Sequence, residues 1–143
     1  MGVPLDRSKR FAIVAMCSLV AACASIVGPI DALGLGFIVN DSAQPVTVPD
    51  SVTASTDFLV SLETSGGGCN RVRNTQVTMV DSRTAEIRPY DYFPVNTPQC
   101  PANLLFIHHT ATLRFGQPGT ATVRLIGQYN DSTITITRTV VVH

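Results

Sequence analysis

The chain has 143 residues, with ten Lys or Arg against ten Asp or Glu, so it has room for one domain and carries no formal net charge. The part after Cys23 contains seven Arg, nine Asp or Glu and no Lys. A slightly acidic domain lacks the basic face that nucleic acids require, and a domain without Lys cannot form a Schiff base. We therefore expect neither a nucleic-acid partner nor Lys-based chemistry.

The first 22 residues predict an export signal. Arg7, Lys9 and Arg10 precede an apolar run over residues 11–22, which is the layout of a secretory signal peptide. The run falls short of the roughly 20 residues that a membrane-spanning helix needs. A permanent membrane helix is the alternative, and it would have to continue through the Gly-Pro pair at 28–29, which breaks helices.

The signal ends in a branched aliphatic residue, two alanines and a cysteine at residues 20–23. This sequence resembles the lipobox of bacterial lipoprotein precursors, and the resemblance covers residues 1–23 only. It implies cleavage before Cys23, so that residues 1–22 are removed, with a diacylglycerol on the Cys23 thiol and often a palmitate on the new amino group. Each buried methylene contributes about 0.8 kcal/mol, so such chains anchor firmly. The expected partner is a membrane of the cell envelope.

Residues next to Cys23 bear on sorting and on an alternative cleavage. In enteric bacteria an Asp after the lipidated Cys retains lipoproteins in the inner membrane, so Ala24 implies the outer membrane, facing the periplasm or the cell surface. Ala22 and Ala24 also satisfy the small-x-small rule of ordinary signal peptidase, which would cut after Ala24 and release a soluble binding domain. Cys17 follows Met16, which fits a lipobox poorly, so Cys17 is expected to leave with the signal.

Residues 23–34 are predicted to be the lipidated Cys and a tether, because Gly and Pro recur there, and residues 35–143 the domain. The sequence of the domain consists of short strand-like runs separated by turn residues. The predicted strands are residues 35–39, 46–48, 58–63, 76–80, 85–88, 104–115, 120–126 and 133–142. This spacing predicts an all-β fold, a single β-sandwich of about seven or eight short strands.

Alternation supports individual strands. Val60 and Leu62 are separated by Ser61, and Ala111 and Leu113 alternate with polar neighbours. The final strand places Arg138 on its apolar face, which predicts a bulge or an edge position. No helical stripe follows Cys23, so nucleotide-binding βαβ folds are not expected. The order of the last strands resembles an immunoglobulin-like sandwich by architecture only, and the chain lacks the Trp of antibody domains.

Two cysteines remain after the signal and the anchor. An even pair in an exported domain predicts a disulfide between Cys69 and Cys100. Three glycines before Cys69 and prolines on both sides of Cys100 predict loops there. The Gly66–Gly68 run is read as a flexible loop and not as a phosphate cradle, because no Lys or helix follows it.

The positions of the histidines do not indicate a metal site or a catalytic site. His108 and His109 are neighbours on a predicted strand, so they point to opposite faces and cannot share one metal ion. His109 has the parity of Ile107 and is expected in the core, His108 is expected to be exposed, and His143 ends the chain. No metal site, cofactor or catalytic residue is predicted.

The most distinctive segment runs from Arg88 to Pro94. We interpret it as an exposed loop whose Tyr90, Asp91, Tyr92 and Phe93 contact a partner. The alternative is that these aromatic residues fold over the end of the sandwich.

The sequence has no G-x-S-x-G motif and no recognisable carboxylate pair, so we do not expect an enzyme. The predicted function is that of a lipid-anchored envelope lipoprotein with a non-catalytic structural or binding domain. The alternatives are a small exported hydrolase with loop-borne residues, using His108 or His109, and the secreted soluble binding domain.

Overall fold

The computed structural model describes residues 32–38, 45–95 and 99–143, and every regular element within these ranges is a β-strand. The nine strands are β1 Ala32–Leu35, β2 Val46–Thr47, β3 Ser51–Val52, β4 Phe58–Gly67, β5 Arg71–Asp81, β6 Thr84–Phe93, β7 Leu104–Leu113, β8 Gly119–Tyr129 and β9 Ser132–Val142. All eight predicted strands overlap an observed one. The all-β prediction is confirmed, and the unpredicted strand is β3, which is too short to show alternation.

The strands form two sheets. In the larger sheet, β5 pairs antiparallel with one side of β6. The other side of β6 pairs with β8 in parallel over residues 84–87 and with β1 antiparallel over residues 90–93, and β9 and β3 follow β8. In the smaller sheet, β4 lies between β2 and β7. The two sheets make a β-sandwich, and its likeness to the immunoglobulin fold stays a prediction.

The core lies between the sheets and follows the predicted alternation. Val60 and Leu62 on β4 are buried, as are Ala111 and Leu113 on β7, while the residues between them are exposed. Phe115 is almost fully buried and packs on Phe58 with ring centroids 5.9 Å apart. Each large side chain buried in this way stabilises the fold by about 1.5–3 kcal/mol.

A short crossing segment connects the two sheets at one end. Phe37 forms a bridge with Ser65 of the smaller sheet and another with Gln128 of the larger one. On either side of it, the Gly36 N–H donates to Pro89 O at 2.8 Å and the Ile38 N–H donates to Gln128 O at 2.7 Å. Residues 36–38 therefore close this end of the sandwich with backbone hydrogen bonds.

Two tight turns set the register of the long hairpins. Asn130 and Asp131 connect β8 to β9, and Asn130 has a φ of 51°, which Asn tolerates better than most residues. Between β5 and β6, the Arg83 N–H donates to Asp81 Oδ1 at 2.7 Å. This hydrogen bond, together with one from the Thr84 hydroxyl, lowers the pKa of the Asp81 carboxyl below its ordinary value.

The predicted irregularity of the last strand is an edge and not a bulge. Strand β9 pairs with β8 residue by residue, and its other side pairs only with the two residues of β3. Ile134, Ile136 and Arg138 are accordingly half-buried.

The predicted signal peptide, the lipobox and Cys23 lie outside the described residues. Strand β1 begins at Ala32, so the fold starts before the predicted boundary at residue 35, and residues 32–34 belong to the domain and not to a tether. Within the described ranges, no helix has the length and apolar character needed to cross a membrane.

Candidate functional site

Three polar side chains lie buried between the sheets: Thr64 on β4, Asp91 on β6 and His109 on β7. The Thr64 hydroxyl donates to Asp91 Oδ2 at 2.6 Å. His109 Nε2 lies 2.9 Å from Asp91 Oδ1 and 3.1 Å from Thr64 Oγ1. The His109 side chain is 0% exposed and that of Asp91 is 8% exposed. These contacts therefore form a water-poor hydrogen-bonded network that spans both sheets.

A fourth side chain completes the network. Thr75 Oγ1 on β5 lies 3.1 Å from His109 Nδ1. In the tautomer that carries the proton on Nε2, His109 donates to Asp91 and accepts from the Thr75 hydroxyl, so this tautomer satisfies both contacts. Among the described residues, no buried side-chain nitrogen or oxygen lacks a partner. We call Thr64, Thr75, Asp91 and His109 the polar cluster.

Strand alternation places the polar cluster in the core. Every second residue of β6 from Ala85 to Asp91 is buried, and on β7 His109 is buried while His108 is exposed. The predicted positions of the two histidines are thus confirmed. His108 instead makes a 3.0 Å surface contact with Glu63. Sequence reasoning missed the pairing of His109 with Asp91, although continuing the alternation of the predicted strand beyond residue 88 would have turned Asp91 inward.

The aromatic segment is a strand, so the exposed loop predicted for it is wrong. Residues 88–93 belong to β6. Pro89 suggested a loop, but it sits where β6 changes neighbour from β8 to β1, and its carbonyl accepts from the Gly36 N–H. A Pro is tolerated in a strand at a position where no neighbouring strand needs a hydrogen bond from its missing N–H.

The four predicted contact residues have different environments. Asp91 is buried, Tyr90 and Tyr92 are half-buried, and Phe93 is exposed. Tyr90 and Tyr92 lie on the opposite face of β6 from Asp91, because alternate side chains of a strand point to opposite sides. The structure therefore does not bring the four together on one surface.

A cleft opens above the polar cluster. It has a volume of about 250 Å³ and is lined by residues 34–37, Ser65, Asn70, Asp91 and Phe93. Ligand pockets usually measure about 300–1,000 Å³, so this one fits at most a small group. Asp91 is the only charged residue that lines it, and both of its carboxylate oxygens already accept hydrogen bonds within the polar cluster.

Gly36 lines this cleft and packs against the cluster. A Cβ at Gly36 would collide with Thr64 Cγ2 and would lie 3.1 Å from Asp91 Oδ2. The absence of a side chain lets the crossing segment pass close over the two polar side chains. Glycine is required here for close approach.

The structure confirms the predicted disulfide. Cys69 lies in the turn between β4 and β5, Cys100 lies in the connection between β6 and β7, and their Cα atoms are 5.4 Å apart. Both cysteines lie outside the strands, as predicted. The loop predicted over Gly66–Gly68 is shorter than expected, because Gly66 and Gly67 extend β4 and pair with β7.

The contacts of the polar cluster run from the Thr75 hydroxyl through His109 to Asp91. This is the order of groups in a Ser-His-Asp triad, but the ring nitrogens are exchanged: Nδ1 faces the hydroxyl and Nε2 faces the carboxylate. The imidazole has no exposed surface, however, and the cleft reaches Asp91 and not Thr75. Among the described residues, no three His, Cys, Asp or Glu side chains cluster in a way that could hold a metal ion. In this arrangement the cluster joins strands of both sheets.

Comparisons of the chain with protein-family models, with curated proteins and with solved structures find no match.

Proposed function

We propose that the chain is an exported lipoprotein of the cell envelope, anchored through a lipid on Cys23 and carrying a non-catalytic β-sandwich with a structural or binding role. The observation that carries this proposal is the lipobox pattern at residues 20–23, directly after a basic stretch and an apolar run. The anchor implies a membrane partner, and Ala24 favours the outer membrane.

The disulfide supports the export part of this proposal. Bonds such as Cys69–Cys100 form and persist in oxidising compartments outside the cytosol. The distance from the anchor to the fold is also short: from Cys23 to Ala32 the chain can reach at most about 30 Å. A domain of this size is about as wide, so a lipid on Cys23 would hold the sandwich beside the membrane surface.

The anchor is tested by fractionating cells that express the full chain. Cys23→Ser should move the protein out of the membrane fraction, or leave it unprocessed, because the thioether forms only on that sulfur. Cys17→Ser is the matched control and should partition like the wild type. If the wild type and Cys23→Ser partition identically into detergent, the anchor is lost as an explanation. A mature amino terminus at Ser25, measured by mass, would establish the secreted form instead.

The binding role is proposed for the end of β6 beside the cleft. Phe93 is 38% exposed there, and exposed aromatic residues often anchor partners. Phe93→Ala should weaken partner capture while changing the free energy of unfolding by no more than about 0.5 kcal/mol, as at other exposed sites. Tyr90→Ala and Tyr92→Ala serve as comparisons, because these half-buried side chains contribute to packing. If Phe93→Ala unfolds the domain as strongly as they do, Phe93 is a core residue and the binding role fails.

A second candidate is a small exported hydrolase, which the triad-like order of Thr75, His109 and Asp91 favours. Thr75 would be the nucleophile and His109 the base, and the edge of the sandwich would have to open to admit a substrate. Thr75→Val keeps the shape and removes the hydroxyl. Ester or amide hydrolysis by the wild type that Thr75→Val abolishes would establish this candidate, and the absence of hydrolysis across a substrate panel would remove it.

A further inference from the structure

Strand β5 is the open edge of the larger sheet. It pairs with β6 on one side, and no strand of the described ranges pairs with its other side. All of its residues except Thr75 are exposed. A long exposed strand edge is a template for pairing with another chain.

The free backbone groups of this edge belong to Thr75, Val77 and Met79. Thr75 lies opposite Pro89, whose carbonyl is directed to the other side of β6, where it accepts from Gly36. In an antiparallel pair, two opposite residues either exchange their hydrogen bonds or direct them away from each other. Thr75 therefore points its N–H and C=O away from β6, and Val77 and Met79 do the same because the direction alternates along a strand.

The side chains of β5 form an apolar face and a polar face. Val72, Val77 and Met79 lie opposite buried residues of β6, yet they are 45%, 36% and 45% exposed, so the smaller sheet does not cover them. Arg71 and Asp81, at the two ends of the strand, lie opposite residues of β6 that are on its outer face. The edge thus carries a positive charge at one end and a negative charge at the other, both on one face.

The centre of β5 is suited to strand addition. Its pairing with β6 shifts between Val72 and Asn74 and again between Met79 and Asp81, so residues 74–79 form a regular central stretch. This stretch contains no charged residue and no Pro. Charges, Pro and bulges are the usual devices that prevent edge pairing, and here they are absent from the middle of the strand.

We propose that β5 pairs antiparallel with β5 of a second copy of this chain, with the two-fold axis at Gln76. Arg71 and Asp81 are equidistant from Gln76, so this register sets Arg71 of each copy opposite Asp81 of the other. Thr75 and Val77 of one copy then exchange backbone hydrogen bonds with Val77 and Thr75 of the other. The contact is isologous, as in most homodimers, and it joins the two larger sheets into one.

Charge complementarity identifies a second copy as the occupant. A strand that adds antiparallel to β5 needs an acidic residue opposite Arg71 and a basic residue opposite Asp81, and β5 itself, reversed, supplies both. Opposite charges paired across strands each contribute about 0.2–1 kcal/mol, whereas like charges oppose pairing.

The register is tested by cysteine cross-linking of the purified full chain in detergent, in a Cys17→Ser, Cys23→Ser background. At the two-fold axis, Gln76 of one copy faces Gln76 of the other in a non-hydrogen-bonded pair. The Cα atoms of such a pair are about 4.5 Å apart, which is within the range of a disulfide. Gln76→Cys should therefore give a covalent dimer under mild oxidation. Thr78→Cys is the control. In this register Thr78 of one copy faces Asn74 of the other, and the two Thr78 residues lie about 13 Å apart.

Val77→Pro, combined with Gln76→Cys, provides the second arm of the test. It removes an N–H that points away from β6, so the hydrogen bonds between β5 and β6 remain. The same N–H bonds to the second copy in the proposed register, so the covalent dimer should be lost. Thermal melting verifies that each variant is folded. The proposal is overturned if Gln76→Cys gives no covalent dimer, if Thr78→Cys cross-links as well as Gln76→Cys, or if the dimer persists with Val77→Pro in a folded chain.

Discussion

At the scale of single residues, the polar cluster is the departure from an apolar core. Asp91 and His109 occupy positions at which the alternation of β6 and β7 otherwise puts apolar side chains. A buried carboxylate without partners costs several kcal/mol, and here Thr64 and His109 supply the partners. The cluster is therefore stable only as a complete set, because removal of one member leaves the others without a hydrogen-bond partner.

The neighbouring histidines test this reading. His109→Ala should lower the free energy of unfolding by about 3 kcal/mol or more, because it opens a cavity and leaves Asp91 buried without its ring partner. His108→Ala should change it by less than about 0.5 kcal/mol, because it breaks only a surface contact with Glu63. Urea unfolding of the two variants gives both values. Equal losses would mean that the cluster contributes nothing specific to stability.

At the scale of the element, the crossing segment over residues 36–38 depends on a residue without a side chain. Gly36 hydrogen bonds to β6 and to β8 while passing directly over Thr64 and Asp91. The segment could not occupy this place with a larger residue, because the atoms that it would meet belong to the polar cluster.

Gly34 in β1 and Gly36 in the crossing segment form a matched pair. Gly36→Ala should destabilise the domain by about 1–3 kcal/mol, as overpacking of a core does. At Gly34 an added Cβ meets nothing within 4 Å, so Gly34→Ala should be neutral or slightly stabilising, by up to about 1 kcal/mol. Melting temperatures of the two variants make the comparison. A Gly36→Ala protein as stable as Gly34→Ala would show that the segment moves away at no cost.

At the scale of the whole molecule, two different devices hold the sandwich together. One end is closed by the crossing segment and the polar cluster, which join the two sheets by hydrogen bonds. The disulfide from Cys69 to Cys100 ties the start of β5 to the connection that leads into β7, and so it encloses the β5–β6 hairpin. This hairpin includes the open edge of the larger sheet.

Reduction of the disulfide should destabilise the whole domain. The bond closes a loop of 31 residues in sequence, which corresponds to about 3–4 kcal/mol in the chain-entropy description. For a domain of this size the melting temperature should fall by more than about 10 °C. The Cys69→Ser, Cys100→Ser double variant should melt at the temperature of the reduced wild type. An unchanged melting temperature after verified reduction would contradict this expectation.

The sequence predicted the strands well where they are half-buried and poorly where they are not. Alternation in residues 58–63 and 104–115 located β4 and β7, because one face of each is packed and the other is exposed. The same rule placed His109 inside and His108 outside. It fell short for β6, because Pro89 and the aromatic residues around it suggested a loop, and the change of neighbour that accommodates Pro89 is visible only in the assembled sheet.

By itself, the sequence determined the all-β class, the inward parity of β4 and β7 and the Cys69–Cys100 pair, since these depend on local alternation and on the number of cysteines after Cys23. The tertiary structure alone decided which strands are neighbours. It brought His109 to Asp91, passed Gly36 over Thr64 and left one side of β5 open. Strand pairing is non-local, and its partners are set by the packing of all strands together and not by the residues of any one of them.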